Sequence, residues 1–222
     1  MNLLSIKEVA TLTESGCFVL DTRTAQDFAL GFIPYSTSVP FGDSFTELLD
    51  LVLTADSKVI IVSEAGKEIQ VEKHLLKIGF LNIAGFVDGG FEKWKEQNLP
   101  IDIVIDVPAD EFAIDYHFDE FYLIDIRPED QYIKEHIEHA ENLPLSDLEQ
   151  NIADLDANMS IYLYGNSFED SCFAASLFRK YDFSKVRFVS DGYETIKQQD
   201  KISVTKEKKK RADKESADFS AN

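Results

Sequence analysis

Long apolar runs are missing from this 222-residue chain. Its strongest ones, such as Val59-Ile60-Ile61-Val62, fall far short of the roughly 20 residues a bilayer span needs, so no transmembrane helix is expected. Cysteine is scarce too. Cys17 and Cys172 are the only two, too few for a disulfide framework and suited to a reducing compartment. The opening residues, Met1-Asn2-Leu3-Leu4-Ser5-Ile6-Lys7-Glu8, have neither the basic head nor the apolar stretch of a signal peptide, and a cytoplasmic location is expected. Positive charge is also short: 22 basic against 41 acidic side chains leave a net charge of −19. Phosphate backbones and anionic lipid repel such a polyanion, which argues against nucleic-acid and membrane-surface binding. Core material is plentiful, because 44% of residues are hydrophobic and 12% aromatic, and a wholly disordered chain is excluded.

The chain repeats itself once. Phe18-Val19-Leu20-Asp21-Thr22-Arg23 recurs as Tyr122-Leu123-Ile124-Asp125-Ile126-Arg127, and the same offset pairs Ile33 with Ile137 and Pro40 with Pro144. Further on, Val59-Ile60-Ile61-Val62 matches Ile161-Tyr162-Leu163-Tyr164, and Gly90-Phe91-Glu92 matches Gly192-Tyr193-Glu194 at an offset shorter by two. One small deletion explains the shift, so the chain reads as two copies of one unit. Residues 1–104 are assigned to the first copy and 105–200 to the second. Residues 201–222 carry seven basic and four acidic side chains among small polar ones, a composition that reads as a disordered charged tail.

Within each copy, β-branched runs alternate with stretches of helical spacing, the pattern of βαβ units around a mainly parallel sheet. Strands are expected at 18–20, 59–62 and 83–87, and again at 122–124, 161–164 and 186–189. Helical spacing marks 71–78, stopped by Gly79, and 173–179. Ser5 and Glu8 form a capping-box pattern, and 99–107 reads as the connection between copies.

These residues resemble the rhodanese homology domain, present as two tandem copies. Leu20-Asp21-Thr22-Arg23, Gly31-Phe32-Ile33-Pro34-Tyr35-Ser36 and Gly89-Gly90-Phe91-Glu92-Lys93-Trp94 stand where the family has Asp-x-Arg, Gly-His-Ile-x-Gly-Ser and Gly-Gly-x-x-x-Trp blocks. The second copy keeps Asp125-Ile126-Arg127, His136-Ile137-Glu138-His139-Ala140 and Asp191-Gly192. The resemblance implies an α/β fold of two rhodanese-like domains, each a mainly parallel sheet flanked by helices. The first copy is also similar to the paired rhodanese domains fused to metallo-β-lactamase-fold persulfide dioxygenases, which makes such an enzyme a candidate partner beside an unidentified protein or small ligand.

The family's activity is sulfur transfer. A cysteine ending the central strand attacks a sulfane-sulfur donor and carries the sulfur as a persulfide, above a loop whose backbone N–H groups favour the thiolate. On this resemblance the loops are Ser63-Glu64-Ala65-Gly66-Lys67-Glu68 and Gly165-Asn166-Ser167-Phe168-Glu169-Asp170, and the cysteine positions hold Ser63 and Gly165. Neither forms a persulfide, and Glu64, Glu68, Glu169 and Asp170 add charge that repels an anionic donor. The expected function is therefore a catalytically inactive binding or regulatory module in sulfur metabolism. The alternative is a sulfurtransferase or persulfide carrier using Cys172 or a partner's cysteine. A serine hydrolase at Ser63 would need a base that the loop lacks.

The other candidates have structural readings. Cys172 falls in the first turns of a helix and Cys17 at a strand entrance, both expected as buried small apolar residues. His136 and His139 stand three apart, a spacing usable for metal, but lie in a turn with no second ligand set, so no metal or cofactor is expected. Asp21 with Arg23 and Asp125 with Arg127 are expected to brace the loops, and Trp94 to anchor packing. Phe168 is expected to be at least partly exposed as an interface anchor, or else packed as a plug over the Gly165 gap.

Overall fold

Runs that are apolar on both faces form the central strands, because a parallel sheet flanked by helices leaves no face to water. The computed structural model describes residues 1–206 apart from Ala55 and Asp119. In the first copy β1 (Leu3–Leu4), β2 (Phe18–Asp21), β3 (Ser36–Ser38), β4 (Val59–Val62) and β5 (Ile83–Val87) form a sheet in the order β1-β5-β4-β2-β3. Every pairing in it is parallel. Helices α1 (Ile6–Glu14), α2 (Ala25–Leu30), α3 (Phe45–Val52), α4 (Glu68–Lys77) and α5 (Gly90–Glu96) alternate with the strands. The capping box is present: Ser5 Oγ accepts from Glu8 N, and Glu8 Oε2 accepts from Ser5 N at 2.8 Å.

The second copy repeats the plan. Strands β6 (Ile105–Val107), β7 (Tyr122–Asp125), β9 (Glu141–Asn142), β10 (Ile161–Tyr164) and β11 (Val186–Val189) run parallel in the order β6-β11-β10-β7-β9. Helices α6 (Ala109–Phe118), α7 (Glu129–Lys134), α8 (Leu145–Asn151), α9 (Phe168–Lys180) and α10 (Tyr193–Ile196) connect them. The repeat extends to register. Asp21 pairs with Val62 as Asp125 pairs with Tyr164, and Phe18 with Val59 as Tyr122 with Ile161.

Two boundaries differ from those read in the sequence. Residues 105–107 are not connection but β6, the edge of the second sheet. Residues 201–206, assigned to the tail, are ordered: β12 (Val204–Thr205) pairs antiparallel with β8 (His136–Ile137), and Ile202 packs on the second copy's core. A two-residue pairing needs little apolar sequence, so composition alone hid it. The rest of the tail, 207–222, lies outside the described residues.

The copies share a core. One cluster joins Leu20, Phe28 and Phe45 of the first copy to Phe173, Phe178 and Phe188 of the second. Helix α9 is the joint, buried throughout from Ser171 to Phe178 because it lies against β3 and α2 as well as its own sheet. β3 is a polar Ser-Thr-Ser strand at a sheet edge, whose free amides would otherwise invite pairing. Ser176 Oγ accepts from Ser38 N at 3.0 Å. Arg179 closes the seam with a two-pronged ion pair to Asp102, at 2.9 and 2.6 Å.

Candidate functional site at the strand ends

Open parallel sheets present ligand sites beyond the carboxyl ends of their central strands. Ser63 directly follows β4 and Gly165 directly follows β10. Beside each, on the neighbouring strand, sits the same clamp. Asp21 is fully buried and accepts from Arg23 Nε at 3.0 Å and Nη2 at 2.6 Å, while Nη2 also donates to Gly31 O at 2.8 Å. Asp125 accepts from Arg127 at 2.9 and 2.5 Å, and Arg127 donates to Glu135 O at 2.8 Å. Each guanidinium lies over an aromatic ring from the last helix of its copy: Arg23 over Phe91 at 4.2 Å, Arg127 over Tyr193 at 3.5 Å. Nε and Nη2 of each arginine are thus engaged by the carboxylate and a carbonyl, and the clamps brace the strand-to-helix turn.

The first copy keeps an open cleft of about 410 Å³ lined by Arg23, Ser63, Glu64, Glu68, Gly90 and Phe91, among others. Residues 63–67 form the loop, with Gly66 at φ +86, a left-handed conformation that suits glycine. Among the described residues, no acceptor partners the amides of Ala65, Gly66, Glu68 or Ile69. The charged side chains around the cleft are mostly acidic. Asp27, Glu64, Glu68 and Glu92 face Arg23 and Lys95; Arg23 is neutralised by Asp21, Lys95 by Glu92 at 2.9 Å, and Lys67 holds Glu64 at 2.7 Å. Ser63 is 7% exposed, its hydroxyl donating to Glu64 O at 3.2 Å. Leu30, 80% exposed, stands at the mouth.

The second copy has rebuilt the equivalent loop. Helix α9 starts at Phe168, three residues after Gly165, so the loop shrinks to 165–167. Ser167 caps the helix, accepting from Asp170 N at 3.1 Å. A Cβ on Gly165 would meet Ile126 Cδ1 at 3.0 Å and Cγ1 at 3.1 Å, so Ile126 occupies the room a side chain would need. Tyr164 adds bulk below, its hydroxyl donating to Asp125 Oδ2 at 2.7 Å. A hollow of about 460 Å³ remains, lined by Arg127, Gly165, Asn166 and Asp170, with Leu51 of the first copy in its wall. Burial pushes the Asp170 carboxyl above its ordinary pKa.

The remaining candidates are dispersed. Phe168 is half-buried and packs edge-on against Phe188 at 5.0 Å, as part of the core. It is not the plug over Gly165, a place taken by Ile126, and Glu169 is exposed outside the hollow. Cys172 is fully buried at the seam, Sγ 3.5 Å from Ala25 O and 3.8 Å from Ser38 Oγ. Burial pushes its thiol up to about 12, the Ser38 contact opposing and the Asp21 charge adding. Cys17 is buried in the first copy's second core cluster, and Trp94 packs there while donating to Pro100 O at 2.8 Å. His136 is buried and stacked on Tyr132 at 3.7 Å, whereas His139 is exposed. Among the described residues no group of three or more His, Cys, Asp or Glu is placed to hold a metal ion. The sequence did not single out Ile126, Tyr164 or Phe91. Their signal was the repeat itself, since Ile126 replaces Thr22 and Tyr164 replaces Val62.

Two copies of a parallel α/β unit, each with an Asp-x-Arg clamp beside a strand-end loop, define a tandem domain protein with its sites at the carboxyl edge. The chain belongs to the rhodanese-like domain family, whose model matches residues 5–97 and 109–199. Solved structures with similarity include the Alr3790 protein from Anabaena sp., at 23% identity and TM-score 0.42, covering 46% of this chain and 92% of that one. A thiosulfate sulfurtransferase from Pseudomonas aeruginosa matches at 16% identity and TM-score 0.43, covering 94% of this chain and 44% of that protein. Wild-type EanB matches at 15% identity and TM-score 0.42, over 93% and 62% of the two chains. No curated protein matches in sequence. Among the described residues, no helix is long and apolar enough to cross a membrane.

Proposed function

We propose that this chain is a tandem rhodanese-like module that does not transfer sulfur and instead binds a protein partner or small ligand through the first-copy cleft. The observation that carries the reading is where sulfur stands. The two strand-end positions hold Ser63 and Gly165, and both thiols, Cys17 and Cys172, are buried. A serine hydroxyl forms no persulfide and as a nucleophile would need a base, and no histidine lines the cleft. Cys172, raised to about 12, holds almost no thiolate at neutral pH and has no path to a donor.

Electrostatics support binding of something other than the family's anionic donors. Each carboxylate ~4 Å from a thiosulfate charge costs about 1 kcal/mol in water and several times that at lower effective dielectric. The cleft has Glu64, Glu68, Asp27 and Glu92 near its mouth, with its two cations already paired. A neutral or cationic group, flanked by an apolar one to cover Leu30, suits it better. The test is a thiosulfate-to-cyanide assay on the full chain. The reading expects no turnover above the protein-free control; turnover abolished by Cys172→Ser would establish the sulfur-carrier alternative instead.

A further inference from the structure

A separate cavity of about 460 Å³ opens at the amino ends of β7 and β10, the opposite edge of the second sheet from Gly165. Its volume lies within the usual range for small-molecule sites, about 300–1,000 Å³. Three aromatic side chains, Tyr116, Phe121 and Tyr122, line it together with Glu120, His139 and Ser160. Two of the rings are fixed from behind. Tyr116 donates its hydroxyl proton to Glu138 O at 2.9 Å, and Phe121 packs against Tyr162 at 4.7 Å and Phe112 at 6.1 Å. Tyr122 is half exposed at the rim. Among the described residues Glu120 is the one carboxylate of the lining, and neither lysine nor arginine lies there.

The first copy shows what such a ring position attracts. Phe18 holds the place of Tyr122, each pairing with the first residue of the central strand. Lys180 Nζ lies 4.4 Å from the centroid of Phe18 and 3.0 Å from Glu149 Oε1, so that ring is already matched with an ammonium and a carboxylate. Tyr122 has the carboxylate neighbour but, among the described residues, no cation over its ring.

We propose that this cavity binds a methylated ammonium group, with Phe121 and Tyr122 supplying ring faces and Glu120 the counter-charge. A primary ammonium loses three strong hydrogen bonds to water on entering, and ring faces do not replace them. A quaternary head group donates none, so it gains the ring attraction without that loss. The net charge of −19 raises the local concentration of any cation. The site is independent of the first-copy cleft and of whether sulfur transfer occurs.

Choline, titrated into the full chain at low salt and followed by calorimetry or by ligand NMR, tests the assignment, with its neutral carbon isostere as the control. Binding of choline at least about threefold tighter than of the isostere is expected, as is a loss of about threefold or more in Tyr122→Ala and Glu120→Gln. Tyr122→Phe should bind as the unmodified chain does. Both positions are exposed, and a thermal melt confirms that the variants fold. No detectable choline binding, equal binding of the isostere, or affinity unchanged in Tyr122→Ala overturns the proposal.

Discussion

The two copies hold their Asp-x-Arg clamps almost identically yet differ completely at the loop those clamps brace. Arg23 and Arg127 meet their aspartates at distances that agree within 0.1 Å on the shared atom pairs, and both donate to a carbonyl at 2.8 Å. Above that frame the first copy keeps a five-residue loop with the Ser63 side chain lining its cleft, while the second winds its loop into α9 and sets Ile126 where a side chain on Gly165 would stand. The difference shows that the frame serves the fold and that the strand-end site is dispensable to it. It also shows two different strand-end loops on one frame: a five-residue loop opening on Ser63, and a three-residue loop opening on Gly165.

The frame should be the most costly part to disturb. Arg23→Met and Arg127→Met each leave a buried aspartate without its partner, and each is expected to cost about 3–5 kcal/mol in urea unfolding. Because α9 ties the copies into one core, either change should shift a single transition. Two resolved transitions, with only one moved, would show that the copies fold separately.

The loops should then separate the copies. Ser63→Cys exchanges an oxygen for a somewhat larger sulfur at the cleft wall and is expected to change stability by no more than about 0.5 kcal/mol. Gly165→Cys drives a side chain into Ile126 and is expected to cost about 1–3 kcal/mol. Equal effects would refute the claim that Ile126 occupies the side-chain space at Gly165. Thiol labelling sharpens it further. The Ser63→Cys variant, whose side chain lines the cleft, should react with a maleimide in the native state, whereas the fully buried Cys172 reacts only on unfolding. With the Cys172 thiol up at about 12, its labelling rate should follow opening of the structure. Labelling faster than the structure opens contradicts its placement.

The smallest effect belongs to Asp170. Its pKa is raised by burial, so the folded state binds the proton more tightly than the unfolded one. The protonated form's advantage is full at acid pH and is lost as pH rises through the raised value. Asp170→Asn should therefore be slightly stabilising at neutral pH and neutral below about pH 4. The opposite pH trend in thermal melts would mean that the carboxylate is held by an unrecognised partner.

Much of this was legible in the residues. The central strands 59–62 and 161–164 are apolar on both faces, and the repeat aligned Asp21 with Asp125 and Ser63 with Gly165, as the sheet registers do. Edge strands were not, because β3 is Ser-Thr-Ser and β9 is Glu-Asn, and nothing in such pairs marks a strand until a neighbour covers them. The polar β3 is buried only because α9 of the other copy lies on it, which is information held in tertiary structure. The plug alternative for Phe168 fails for the same reason. Its position in the aligned loop suggested a plug, but the shorter loop places it on the first turn of a helix facing Phe188.

The central claim is that the cleft binds without transferring sulfur, and the most direct measurement is the fate of sulfane sulfur on the intact protein. After incubation with thiosulfate or glutathione persulfide, the full chain is freed of small molecules, weighed by intact mass spectrometry and treated with cyanide. The account predicts an unchanged mass and no thiocyanate. A sulfur adduct that cyanide releases as thiocyanate would contradict it, and would point to Cys172 if the Cys172→Ser variant no longer carried it.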